Sequence, residues 1–509
     1  MLLKQKWFRA LFRRRILIAL MLVLQMAFLV YVLVSGSRLS QGIHAVLMLL
    51  SILTVLFIVS KKDKGAYKVL WIFLILSFPI FGGFLYLLVH TQRPTRKMRA
   101  HIHAAKEKAA PLYRLSGDGY TAAEQLLPDR FAQVRYLQNF VGFPIYDSTR
   151  VTYFPLGEEM FHTLLSQLEK AEKYIFLEFF IIQEGEMWNS ILEVLRRKAA
   201  QGVQVRVMYD DLGCFFLLPV NYAQQLREMG IECAVFNPFR PLLTFKQNNR
   251  DHRKIISIDG KVAFTGGINL ADEYINAFPK YGHWKDTAVM LEGKAAWSLT
   301  LMFLEMWQVT QQTDEDFSQY HCPTSICDRG FVLPWCDSPM DAENVGEHVY
   351  LQILNEARDY VYINTPYLVI DDSMVSALCL AAKRGVDVRI TTPCRGDNWP
   401  VHATTRSYYR ELICAGVKIY EYTPGFVHAK SFVCDDCIAT VGTTNLDFRS
   451  LYLNFECGAY LYGSDAVLAV KQDYLDTLEK CQLITEADCK TGPLMTQFQN
   501  VMRLLGPLL

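Results

Sequence analysis

Two stretches of this 509-residue chain repeat one set of chemically capable residues: HRKIISIDGKVAFTGGIN from His252 and HAKSFVCDDCIATVGTTN from His428, 176 positions later. Each holds a histidine, a lysine two residues on, an aspartate seven on, a glycine fourteen on and an asparagine seventeen on. These are His252, Lys254, Asp259, Gly266 and Asn269, then His428, Lys430, Asp435, Gly442 and Asn445. If each stretch opens as a strand, its histidine and lysine project from one face. Asp259-Gly260 is a hairpin signal returning the chain through KVAFTG, and Asp435-Asp436 takes its place in the second copy. Glycines at the end of the return strand permit close backbone approach, so the asparagine amides can turn toward the histidine–lysine face. Such a face suits an anionic, oxygen-rich group such as phosphate. Lysine supplies charge, asparagine supplies donors, and imidazole can attack phosphorus or move a proton. One set is an ordinary phosphate-sized surface. Two sets brought together place imidazoles on opposite sides of one phosphorus, as an in-line displacement requires. Asp259 and Asp435 are expected to support the turns rather than touch phosphate.

The elements that must position these residues are themselves duplicated. YIFLEFFII (174–182) matches YVYINTPYLVI (360–370) as an apolar strand, and each is followed by a helical stretch ending at Gly202 or Gly385 and a second strand, VQVRVMYD or VDVRITTP. A further helix–glycine–strand pairs QLREMGIECAVF with ELICAGVKIYEY. The alternation predicts an α/β fold of two helix-covered, α-β-α sandwich domains with parallel strands, related by a pseudo-twofold. Tyr174 to Tyr360 and Gly230 to Gly416 are 186 apart whereas the histidines are 176 apart, so ten extra residues precede His252. They fall in PFRPLLTFKQNN (238–249), either a surface loop packed on its own domain or a lip dipping into a bilayer. As a lip it would insert Leu242, Leu243 and Phe245 and hold Arg240, Lys246 and Arg250 near lipid phosphates.

Composition bounds the setting. Residues 1–110 hold 17 Lys+Arg against 2 Asp+Glu, and the rest of the chain 35 against 49, which argues against a nucleic-acid binder. The basic excess surrounds apolar runs at Ile16–Val34, Ile43–Val59 and Val69–Val89, predicting a multi-pass membrane anchor over residues 1–100. Pro79, Gly82 and Gly83 would also let the third run bend back, and the membrane face of the remainder stays open. All 13 cysteines lie from Cys214 onward in no ladder, which suits mostly free thiols; Cys434 and Cys437 form the one CxxC and are expected to pack rather than bind metal.

The duplicated HxK(x)4D(x)6GxxN pattern resembles the phospholipase D superfamily. With NTPYLVIDD, GTTNLDFRSLYLNFE and the hydrophobic amino-terminal segments, the chain is similar to bacterial cardiolipin synthases of that superfamily from about Ile43 onward. The resemblance implies two phospholipase D-like domains, 111–320 and 325–509, at a bacterial cell membrane, with phosphatidylglycerol as substrate and no cofactor or metal. It implies a phosphatidyl-histidine on one histidine while the other moves the proton; family analogy makes His252 the nucleophile and His428 the acid/base. Lys254, Lys430, Asn269 and Asn445 would hold the non-bridging oxygens. It also places an acid downstream in each copy to orient imidazole: Glu456 and Asp286. Hydrolysis, another alcohol-headgroup lipid as acceptor, or a non-catalytic scaffold are the competing functions.

Weaker candidates surround these. Glu178 is expected either to line the pocket or to form a buried ion pair, and Tyr367 and Asn364 to border the pocket. Trp284, Trp399 and His402 are expected to serve packing, and LMTQFQNVMRLLGPLL at the carboxyl end to dock or lie at an interface.

Overall fold

The computed structural model describes residues 38–61, 64–78, 93–115, 119–238, 248–324 and 326–508, with single positions at 23, 27, 31, 83 and 86. The expected run Ile16–Val34 apart from 23, 27 and 31, part of Val69–Val89, and 239–247 of the loop or lip before His252 lie outside the described residues. The chain forms two compact units, one taking in residues 1–96 and the other residues 97–238 and 249–507.

In the first unit, helices Arg38–Val59 and Gly65–Ser77 enclose a small core of Ile58 and Ile75 with Tyr86. Leu49, Leu53, Leu56 and Phe57 of the longer helix, and Phe73 of the shorter, remain exposed. Among the described residues no helix is long and apolar enough to cross a membrane.

The second unit is built on two sheets. The first holds β1 (Thr149–Phe154), β2 (Tyr174–Phe179), β3 (Gln204–Asp210), β4 (Glu232–Phe236), β5 (Ile255–Ile258), β6 (Val262–Gly266) and, after the three-residue β7 (His283–Lys285), β8 (Ala288–Gly293), in the order β1-β8-β6-β5-β2-β3-β4. The second holds β9 (Phe331–Asp337), β10 (Tyr360–Asn364), β12 (Asp387–Pro393), β13 (Lys418–Tyr422), β15 (Ser431–Cys434), β16 (Ile438–Gly442), β18 (Glu456–Tyr462) and β19 (Cys481–Ile484), in the order β19-β13-β12-β10-β15-β16-β18-β9. The short β11 (Leu368–Val369), β14 (Gly425–Val427) and β17 (Leu446–Asp447) pair outside these sheets.

Within the two sheets, parallel pairing is confined to β2-β3-β4 and β10-β12-β13. These strands follow the strand–helix alternation, and β2 and β10 are buried throughout, which explains their unbroken apolar sequence. The remaining strands of the two sheets pair antiparallel, so the parallel strands expected from the alternation stand beside hairpin strands and each sheet is mixed. The cause is the hairpin within each repeat: Asp259 and Gly260 have φ of 53° and 65°, and Asp435 and Asp436 φ of 50° and 57°, the left-handed pair of a tight two-residue turn. Helices Glu186–Ala200 and Asp372–Lys383 stop where Gly202 and Gly385 adopt φ of 91° and 99°.

Helix Ala296–Gln311 joins the two sheets. Every residue from Ala296 to Trp307 is buried, and it packs on β2, β4, β5, β6 and β8 of the first sheet and on β9 of the second. The carboxyl-terminal helix Pro493–Leu504 lies on helix Trp399–Cys414, with Phe498 stacked on Trp399 and Arg503 bonded to Glu411 at 2.6 Å.

Candidate active site

His252 and Lys254 precede β5, and His428 and Lys430 precede β15; all four are buried. They lie on extended lead-ins, not on the hairpin strands as expected. Each lead-in instead runs parallel to a segment of the other half. Asp251 bridges to Phe455, with the His252 N–H donated to the Phe455 carbonyl at 3.0 Å. β14 pairs with β7, and the His428 N–H is donated to the Lys285 carbonyl at 2.7 Å.

This exchange decides which acid serves which imidazole. His252 Nδ1 lies 2.9 and 3.0 Å from the two oxygens of Glu456, and His428 Nδ1 lies 2.6 Å from Oδ2 of Asp286. Each histidine is therefore held by the acid downstream in the opposite copy. Gly266 faces Ala288 and Gly442 faces Gly458 across their strand pairs, so Asp286 and Glu456, two residues before those partners, hold equivalent register positions. Donation from Nδ1–H to a carboxylate fixes the tautomer and leaves Nε2 with its lone pair.

The two carboxylates are seated differently. A Cβ on Gly267 would stand 2.0 Å from Asp286 Oδ1, so that position must be glycine for the acid to fit. The matching residue in the second copy, Thr443, donates its hydroxyl to Glu456 Oε2 at 2.5 Å. Gly266 and Gly442 serve the same end indirectly, because a Cβ on either would strike the neighbouring strand backbone within 2.5 Å.

Lys254 Nζ donates to the His252 carbonyl at 2.7 Å, and Lys430 Nζ to the His428 carbonyl. Burial dominates the electrostatics. It pushes Lys254 down to about 8 and, with Lys254 nearby, Lys430 down to about 7. Burial also raises Glu456 to about 7. His252 sits well below its usual range through burial and the two lysines, and burial with Lys430 takes His428 down to about 4. Both imidazoles are thus neutral at pH 7, and the lysines hold their protons only weakly.

The walls differ between halves. Phe180 meets His252 edge-on at 5.0 Å between ring centres, whereas Tyr274, Trp284 and Phe426 crowd His428 at 5.4, 5.3 and 6.1 Å. Trp284, expected to serve packing alone, is part of the His428 wall. Asn269 departs from expectation: its oxygen accepts the Ile181 N–H at 3.1 Å and its Nδ2 donates to the Tyr274 hydroxyl at 2.7 Å, so it organises the wall. Asn445 donates to Asp447 at 3.1 Å.

Asp259 and Asp435 lie at the far ends of β5 and β15 and bond to backbone, a structural place and not a catalytic one. Asp259 accepts the N–H groups of Glu172, Lys173 and Tyr174, each at 2.8 Å. Asp435 accepts those of Arg358, Asp359 and Tyr360 at 2.8, 2.9 and 2.8 Å and pairs with Arg130 at 2.5 Å. Each clamps the start of its central strand, β2 or β10.

Glu178 forms a buried ion pair with Arg253 at 2.5 Å rather than lining a pocket. Asn364 donates to Ser431 Oγ at 3.1 Å. Tyr367 donates to Asp397 at 2.6 Å and sits 6.5 Å from the Phe426 ring. His402 packs against Gly396, apart from the paired histidines. Arg250, which the lip reading would set near lipid phosphate, is buried and paired with Asp210 at 2.7 Å. Asp210, Phe180, Tyr274 and Thr443 escaped the sequence reading. Of these only the 267/443 difference, glycine against threonine within aligned motifs, was visible there.

A family model described as "Cardiolipin synthase, PLD-like domain" matches residues 164–318 and 350–478, and one described as "Phospholipase_D-nuclease N-terminal" matches residues 46–89. The chain is 44% identical to an uncharacterized protein of Streptococcus mutans over 90% of this chain and 99% of that one. It is 35% identical to a cardiolipin synthase of a Geobacillus species (91% and 93% covered) and 34% identical to that of Geobacillus kaustophilus (92% and 94% covered). Among solved structures, the phosphatidylserine synthase of Haemophilus influenzae shares the fold at a TM-score of 0.58 and 14% identity, covering 74% of this chain and 100% of that one. The chain belongs to the bacterial cardiolipin synthases of the phospholipase D superfamily.

Proposed function

We propose that this chain joins two phosphatidylglycerol molecules into cardiolipin and glycerol, with the crossed His252–Glu456 and His428–Asp286 pairs as its catalytic centre. The observation that carries this is the crossing itself: two neutral imidazoles, each oriented through Nδ1 by a carboxylate of the opposite half.

His252 Nε2 attacks the phosphorus of the first lipid. A phosphorus–nitrogen bond forms, the bond to the glycerol oxygen breaks, and His428, which takes up a proton from solvent as the anionic phosphodiester binds beside it, gives that proton to the glycerol oxygen. A hydroxyl of the second lipid then attacks the same phosphorus, His428 takes up the hydroxyl proton, and the bond to His252 breaks. Two features favour these roles. His252 is held neutral most firmly, as a nucleophile must be, and the 2.6 Å bond to Asp286 suits a His428 that becomes imidazolium. Lys254 and Lys430 neutralise the non-bridging oxygens, and a phosphate anion between them offsets the burial that weakens their hold on protons. The aromatic wall around His428 disfavours water and supports lipid transfer over hydrolysis.

Residues 111–320 and 325–509 act as the two halves of this centre. Residues 1–100 hold the enzyme in the cell membrane as a multi-pass anchor, a role supported by their apolar runs and by the exposed Leu49, Leu53 and Phe57. Purified protein incubated with phosphatidylglycerol vesicles tests the reaction: cardiolipin with equimolar glycerol is expected, and phosphatidic acid alone would refute it in favour of hydrolysis.

A further inference from the structure

The turn leaving β3 carries no charged residue from Leu212 to Tyr222 and presents Phe216 and Val220 to solvent, 80% and 68% exposed. Its base is firmly held. Asp210 accepts the N–H groups of Leu212 and Gly213 at 2.8 and 3.1 Å. The same carboxylate takes Arg250 Nη2 at 2.7 Å and the Asp251 N–H at 3.1 Å, from the two residues before His252. Gly213 lies so near the Phe180 carbonyl that a Cβ would stand 2.1 Å from it, and the Phe180 ring is the wall of His252. The turn therefore grows out of the His252 side of the site.

The exit from β12 does the same on the other side. Trp399 is 59% exposed. The loop before it is tied by the 2.6 Å bond from Tyr367 to Asp397, and Tyr367 packs on Phe426 in the His428 wall. Each half thus raises a large apolar tip from the wall of its own imidazole.

We propose that Phe216 and Val220, with Trp399 from the other half, form the surface by which the catalytic unit docks on a phospholipid bilayer. This rests on the reading that the substrates are bilayer phospholipids. A phosphodiester at the histidines leaves its acyl chains in the bilayer, so the rim of the site must meet the boundary between headgroups and chains. An uncharged turn bearing phenylalanine and valine, matched by a tryptophan, suits that boundary, where tryptophan concentrates and apolar side chains insert a short way. A soluble protein partner would offer no reason for a tip beside each imidazole.

Two measurements on the full chain in proteoliposomes test this. With a photoreactive phenylalanine analogue at position 216, irradiation is expected to yield adducts with lipid acyl chains; adducts with protein alone, or none, overturn docking whether or not the enzyme turns over. In the second, a Phe216→Ser, Val220→Ser variant is expected to lose about tenfold or more in kcat/KM on phosphatidylglycerol vesicles. It should stay within about twofold of the unaltered chain on dihexanoyl phosphatidylglycerol dispersed as monomers. Equal loss on both substrates, or no loss on vesicles, overturns the proposal. An unaltered chain inactive on both lipids would refute the functional reading, while the adducts still decide docking.

Discussion

His252 Nδ1 lies 2.9 and 3.0 Å from the two oxygens of Glu456, a residue 204 positions later in the other half of the catalytic unit. The reciprocal contact, His428 with Asp286, spans 142 positions. Duplication therefore did not produce two complete sites. Each copy supplies an imidazole whose carboxylate partner comes from the other copy.

The carboxylates should accordingly matter as much as the motifs. Glu456→Gln keeps the shape but offers an amide where a charge stabilised the imidazole, so cardiolipin formation should fall by about 10²–10⁴-fold. Asp286→Asn should cost a similar factor through His428. Both variants should retain near-native melting temperatures. A loss below about threefold in either would mean that its histidine is oriented by something else.

The pH profile follows from the buried charges. Glu456, raised to about 7, orients His252 as an anion only above that value, which sets the acid limb of kcat/KM. His252 itself, held well below its usual range, stays unprotonated across that limb. Lys430 and Lys254, lowered to about 7 and about 8, lose their protons in that order as pH rises, and with them the charge that holds phosphate. A narrow bell between these two limbs is expected. Lys430→Arg, whose guanidinium remains charged, should leave Lys254 to set the alkaline limb and move it upward by about one pH unit. An unmoved limb would remove the lysine from that role.

The sequence exposed what is local and repeated. The Asp259-Gly260 turn and the helix-stopping glycines are properties of short segments and stand where the sequence implied, whereas the histidine–lysine pairs fall on lead-ins just before the expected strands. The acids were legible as candidates, but their crossing was not, because no local spacing encodes contact between residues 142 and 204 positions apart. Helix Ala296–Gln311 left no amphipathic signature because it is buried on all sides. Asn269 was misjudged for a related reason: its donor pointed to phosphate only while the Tyr274 hydroxyl, 2.7 Å away, was unknown.

The two histidines can be told apart by a substrate whose leaving group needs no proton. On a 4-nitrophenyl ester of phosphatidic acid, His428→Ala should still form the phosphatidyl-enzyme and accumulate it, because the following hydroxyl attack lacks its base. His252→Ala should form none. Trapping with lipid labelled in the phosphate, followed by peptide mapping, reads the outcome directly. Label on His428 in the His252→Ala protein would exchange the roles assigned here.

The motif aspartates should separate stability from chemistry. Asp259→Ala removes the acceptor of three backbone N–H groups at the start of β2, of which that of Tyr174 is buried, and should cost about 1–3 kcal/mol of stability. Asp435→Ala does the same at β10 and also removes the carboxylate partner of Arg130, leaving it the Glu356 carbonyl. Because both clamps lie a strand's length from the imidazoles, whatever folded fraction survives should keep the same pH limbs and the same labelled histidine. Calorimetry on detergent-solubilised protein would show the lowered melting temperature. A pH profile displaced along with it would place these aspartates in the catalytic centre after all.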